Sequence, residues 1–113
     1  MPNNPITLKG FQRKYLRALA HPLKPVVLIG QRGVTDELLK SLDEALNQHE
    51  LIKLKFIENK NRADKARMLQ TLQNAAHVHL VGTIGHTAIF YRPSSDQERQ
   101  RIMLPQHSND KTP

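Results

Sequence analysis

Apolar and polar positions along the chain follow two rhythms. Leu8, Phe11, Tyr15, Leu16 and Leu19 recur at helical spacing, which predicts a helix opening at Thr7 as N-cap and ended by "HPLKP". "PVVLIG", Pro25 to Gly30, is a short continuous β-branched run and predicts a strand buried on both faces, central in its sheet. Thr35 is placed to cap a second helix carrying Leu38, Leu39, Leu42, Ala45 and Leu46 on one face and ending near His49, with Val34 positioned to staple against Leu39. In "LIKLKFI", Ile52, Leu54 and Phe56 alternate with Lys53 and Lys55, the rhythm of a strand with one face at least partly wet and positive. A polar connection leads to a third helix with Ala66, Leu69 and Leu72 turned inward and Lys60, Arg62 and Lys65 near its start. "HVHLVGTI" and "HTAIFYRP" flank Gly85 as two strands of a hairpin.

The order α-β-α-β-α-β-β predicts an α/β fold: a single domain with a four-stranded mixed sheet, right-handed crossovers and a terminal antiparallel hairpin. At 113 residues the chain supports one core. Beyond Ser94 the composition is polar, broken only by "IMLP", a segment suited to docking on the body.

Charge changes the picture more than length does. Seventeen Lys plus Arg against ten Asp plus Glu leave a net charge of +7, which favours a polyanionic partner. Lys9, Arg13, Lys14, Arg17, Lys24 and Arg32 all precede the first acidic residue, Asp36, so the amino-terminal third is uniformly positive. Lys9, Arg13 and Arg17 are spaced four apart and stack as a basic stripe whose mutual repulsion an anion would relieve. Without cysteine there is no thiolate cage, disulfide or Cys nucleophile. No apolar run is long enough for a membrane span and "MPNNPITLKG" lacks the order of a signal peptide, so a soluble cytoplasmic protein is expected.

Gly30, Gln31, Arg32 and Gly33 form a glycine-bounded turn between the first strand and the second helix. Glycines there permit positive φ and close approach, and the following helix presents unpaired N–H groups, an arrangement suited to a phosphate backbone. Gln31 and Arg32 would offer an amide and a guanidinium. Asp36 and Glu37 in the first helical turn oppose that reading, and the same pattern also serves a plain strand-to-helix turn. The turn is neither a dinucleotide fingerprint nor a Walker loop.

The remaining chemistry is sparse. His77 and His79, two apart on an expected strand, could supply half a metal site but lack an evident third ligand. No serine sits in a nucleophile elbow, and adjacent Asp43 and Glu44 point in different directions on a helix. Among the aromatics, Tyr15, Phe56 and Phe90 are expected in or near the core, leaving Tyr91 to stack a base. These readings favour a non-catalytic protein without cofactor or metal.

"LAHPLKPVVLIG", the glycine turn, "HELIKLKF" and "IGHTAIFYRP" together resemble the CRM-domain family, specifically its stand-alone bacterial YhbY-like members, over Leu8 to Pro93. The resemblance implies an α/β RNA-binding domain similar to the C-terminal domain of translation initiation factor three, acting on ribosomal RNA in precursors of the large ribosomal subunit. The expected division is a flexible segment 1–6, a CRM domain 7–93 and a polar, flexible tail 94–113, and the free protein is expected to be monomeric. The RNA surface is expected at Gly30, Gln31, Arg32 and Gly33 and at Lys9, Arg13, Lys14, Arg17 and Lys24, extended by Lys53, Lys55, Lys60 and Arg62. His86 departs from the family, whose members often carry Arg or Lys after the hairpin glycine, and a contact there is expected to be weaker or dependent on pH. The alternative readings are a basic protein-interaction module without direct RNA contact, or a small hydrolase or transferase built on the histidines.

Overall fold

The structure, a computed structural model, describes residues 8–58, 61–96, 98 and 100–106. Seven elements follow the expected order: α1 Gly10–Ala20, β1 Val27–Ile29, α2 Asp36–His49, β2 Leu51–Phe56, α3 Arg62–Ala76, β3 His79–Ile84 and β4 Thr87–Tyr91. The strands lie in the order β1-β2-β4-β3, with β1 parallel to β2 and the other neighbours antiparallel. Helices α2 and α3 cover one face of the sheet and α1 the other, giving three layers.

The larger core lies under α2 and α3. Leu38, Leu42 and Leu46 of α2 and Leu69, Leu72 and Ala76 of α3 pack on Val27, Ile29, Ile52, Leu54, Phe56, Ala88 and Phe90. Fully burying one such leucine stabilises the fold by about 1.5–3 kcal/mol. Thr35 Oγ1 accepts the Leu38 N–H at 3.0 Å, as a cap should, and Val34 and Leu39 both pack against this core. In α3 the cap is Asn61, whose Oδ1 accepts the Asp64 N–H at 2.7 Å. Ala66, expected inward, is exposed, because the buried stripe of α3 runs through Leu69, Leu72 and Ala76 instead.

Strand β1 is an edge strand rather than a central one. Val27 and Ile29 are buried, whereas Leu28 and the preceding Val26 are each 54% exposed. A short apolar run does not reveal whether one face or two are covered.

Helix α1 departs from its expected start and face. Thr7, the expected N-cap, lies outside the described residues; Lys9 is the N-cap, and its N–H donates to Gln12 Oε1 at 2.9 Å. Lysine has no acceptor, so Gln12 alone supplies this cap. The buried stripe is Gln12, Leu16 and Ala20, while Tyr15 and Leu19 are each 38% exposed. Gln12 is held inward by a second bond, from its Nε2 to the Pro105 carbonyl at 3.1 Å.

The segment after Pro93, expected as a flexible tail from Ser94, makes specific contacts as far as Gln106. Ile102 and Leu104 join Leu8, Leu16, Leu51, Val81, Ile89 and Tyr91 in the second core. Buried Glu50, just after α2 at φ 61°, anchors this segment through its carboxylate. Its Oε2 accepts the Ser94 N–H at 2.6 Å, and its Oε1 accepts those of Arg101 and Ile102 at 2.9 and 3.2 Å.

Candidate nucleic-acid interface

Four connections meet at one end of the sheet: the Gly30–Gly33 turn, the exit of β2, the start of α3 and the β3–β4 hairpin. The Ile57 N–H donates to the Ile29 carbonyl at 3.0 Å and the Phe56 N–H to the His86 carbonyl at 2.8 Å, tying three of these together. The turn closes through the Gly33 N–H on the Gly30 carbonyl at 3.0 Å, leaving Gln31 and Arg32 exposed between the glycines.

The two glycines are not equivalent. Gly33 has φ +71° and is buried, with the Met68 methyl of α3 3.2 Å from the position a Cβ would occupy. Gly30 lies outside the positive-φ region, and a Cβ there would meet Ile57 at an ordinary 3.6 Å. The helix that follows is a poor anion receptor, since Thr35 already accepts the Leu38 N–H and Asp36 and Glu37 occupy its first turn. What the turn offers is therefore its two projecting side chains.

Lys9, Arg13, Lys14 and Arg17 are all exposed along α1. Arg17 lies across β3, its Cδ 3.3 Å from the position of a Cβ on Gly82. Arg13 faces His79, whose pKa is lowered first by burial and then by that guanidinium. The His79 ring stacks on Tyr91 with centroids 6.3 Å apart. Tyr91 is only 2% exposed, and burial, with the Glu50 carboxylate beside it, pushes its pKa up to about 12. The aromatic expected to stack a base is therefore enclosed, while Tyr15, expected partly in the core, is 38% exposed.

The remaining expected residues separate by role. Lys24 is exposed between α1 and β1. Lys53 donates its ammonium to the His21 and Leu23 carbonyls at 3.1 and 2.9 Å, securing the turn after α1. Lys55 is exposed in a row with Leu28, Thr87 and Ile84 across all four strands. Arg62 is exposed in the first turn of α3, and Lys60 lies outside the described residues. His77 is not on a strand: it caps α3 in the left-handed region at φ 55°, apart in role from His79 on β3.

Lys65, named in the sequence only for its charge near the start of the third helix, comes to this site, whereas Arg92 does not. Lys65 Nζ lies 3.2 Å from His86 Nδ1, bringing a residue three positions after Arg62 onto the hairpin tip. Its proximity to Arg62 on one helix face was the available signal. Arg92, by contrast, is structural: it donates to the Ala76 and Asp43 carbonyls and to Asn47 Oδ1, and pairs with the Asp43 carboxylate at 2.9 Å.

A three-layer α/β domain with a basic outer helix and a glycine-bounded turn at the end of its sheet is the class this geometry defines. The chain belongs to the CRS1/YhbY (CRM) domain family, whose model matches residues 8–92. It is 39% identical over 99 residues to an RNA-binding protein of Haemophilus influenzae, spanning 88% of this chain and 96% of that one. Probable RNA-binding protein YqeI of Bacillus subtilis is 38% identical over 98 residues, 87% of this chain and 99% of its own. The solution structure of a hypothetical protein of Staphylococcus aureus superposes with a TM-score of 0.72 at 36% identity, covering 88% of this chain and all of the other. Among the described residues, no helix is long and apolar enough to cross a membrane.

Proposed function

We propose that this protein is a non-catalytic, cytoplasmic RNA-binding protein that recognises structured ribosomal RNA in precursors of the large ribosomal subunit. The observation that carries the reading is the exposure of cations from the acid-free amino-terminal third: Arg13, Lys14 and Arg17 on α1 and Arg32 in the turn. Such cations neutralise phosphates and position the backbone without reading bases, which suits structured RNA recognised by shape. The names of the relatives support RNA as the partner. Large-subunit precursors follow from the family resemblance.

The test is binding to a structured ribosomal RNA fragment across a salt series. Each neutralised phosphate releases counterions, so affinity is expected to fall linearly on logarithmic axes. An affinity indifferent to salt would overturn the proposal. For the cellular role, the protein should sediment with large-subunit precursors and be depleted from translating ribosomes.

A second reading, a protein-interaction module, is favoured by one feature: Leu28, 54% exposed, and Ile84, 63% exposed, flank Lys55 and Thr87 on the open sheet face. Nuclease treatment separates the two, because an assembly held by RNA dissociates and a protein contact survives.

A further inference from the structure

A groove of about 440 Å³ separates the β3–β4 hairpin from the first turns of α3. Phe56, Leu69 and Ala66 supply apolar surface, Arg62 and Lys65 the cations and His86 an imidazole, and none of the described residues lining it is acidic. Thr83, which pairs with Ala88 on the α3 side of the sheet, adds a hydroxyl from β3. A lysine ammonium has donors only, so its contact with His86 Nδ1 makes that nitrogen the acceptor and places the proton of the neutral ring on Nε2. The polar groups are therefore rich in donors, the chemistry of an anion site, while the apolar surface suits a flat ring. The size falls within the roughly 300–1,000 Å³ typical of small-molecule sites.

The groove is also connected to the glycine turn. Gly33 abuts Met68, and Met68 stands one helical turn beyond Lys65 on α3. A strand whose backbone passes Gln31 and Arg32 thus meets α3 within a turn of the groove.

We propose that this groove receives a single unpaired nucleotide of the bound RNA, with its phosphate at Arg62, Lys65 and His86 and its base over exposed Ala66 and the accessible edges of Phe56 and Leu69. The inference rests on the RNA-binding reading and adds to it a place where a nucleotide is taken out of the stack. Unpaired nucleotides are the usual targets of sequence-selective RNA recognition, because their edges and faces are accessible. Thr83 would hydrogen-bond the base edge or the 2′-hydroxyl.

The test follows backbone amide resonances of the full chain during titration with a structured ribosomal RNA fragment that carries an unpaired loop, with uridine 5′-monophosphate and with inorganic phosphate. The RNA is expected to move Thr83, His86 and Thr87 together with Arg32 and Gly33, and the mononucleotide to move the first three at lower concentration than phosphate does. Arg62→Ala/Lys65→Ala should weaken RNA binding by roughly tenfold through loss of charge-assisted contacts, with melting unchanged. If RNA binds and moves Arg32 and Gly33 but leaves the groove resonances still, or if the double variant binds like wild type, the groove proposal falls and RNA binding stands. If phosphate matches the mononucleotide, a nucleotide site is overturned in favour of a simple anion site. Failure of the wild type to bind any RNA overturns both readings.

Discussion

Arg17 crosses the edge strand β3 by lying over Gly82, where its Cδ is 3.3 Å from the place a Cβ would fill. Gly82 lies outside the positive-φ region, so its lack of a side chain serves the neighbour rather than the backbone. Gly82→Ala should need only a slight shift of a flexible stem and change stability by about 0.5 kcal/mol or less. Gly82→Val should lift the Arg17 guanidinium off the sheet while leaving the fold intact, since β-branched residues suit strands. Under the proposed function it should reduce RNA affinity about as much as Arg17→Ala, and combining the two should add little; chemical denaturation and RNA titration on the same samples check this.

In the Gly30–Gly33 turn, replacing Gln31 and Arg32 together by Asp should shift stability by about 0.5 kcal/mol or less, because both side chains are exposed. Affinity for structured RNA should drop sharply, as two carboxylates would face the phosphates. Gly33→Val should cost about 1–3 kcal/mol through its φ of +71° and its contact with Met68. Gly30→Ala should cost much less. A double Asp variant that binds like wild type would reduce this segment to a turn.

Removing the Glu50 carboxylate should be among the most damaging single changes. Glu50→Ala leaves the partly buried Ser94, Arg101 and Ile102 N–H groups without their acceptor, and a hydrogen bond to a charged group is worth about 1.5–3 kcal/mol. Glu50→Gln keeps one acceptor oxygen and should fall between. Urea denaturation gives the ranking, and Ile102→Ala should lose much of its effect in the Glu50→Ala background.

Two groups set the expected pH response. His79 has a lowered pKa in the folded state, from burial and Arg13, so the unfolded chain takes up its proton first. Its contribution is complete above the unfolded value of about 6.5 and is lost as pH falls through that value toward the folded one. Tyr91 behaves oppositely: with its pKa raised to about 12, stability should decline as pH rises from the ordinary tyrosine value of 10.0 to that level. Melting curves of His79→Gln and Tyr91→Phe should be flatter than wild type in the acidic and alkaline windows respectively.

Features governed by neighbouring residues were legible in the sequence. The Thr35 cap, the alternation of Ile52, Leu54 and Phe56 and the hairpin at Gly85 all depend on contacts a few positions apart, and each stands where local rules put it. The departures have distant causes. Gln12 turns inward because Pro105, ninety-three residues away, accepts its amide, and this goes with exposure of Tyr15. Lys53 has the residue type and strand position of a phosphate ligand, yet two carbonyls beyond α1 hold its ammonium. Edge placement of β1 depends on which strand pairs beside it, which no local pattern encodes. At the candidate interface, charge and the glycine turn were readable, whereas the Lys65–His86 contact requires the hairpin and α3 to be folded together.

The carboxylate that organises the last segment also sets an order of events during synthesis. Glu50 leaves the ribosome before any of its three side-chain partners, which follow 44, 51 and 52 residues later. Until translation reaches Ser94 the Glu50 carboxylate has none of these donors and must remain hydrated, and its set is complete only at Ile102. The face of the sheet under α1 is therefore sealed last, after every helix and strand has been made, and a nascent chain stalled in the hairpin would carry an unfinished second core.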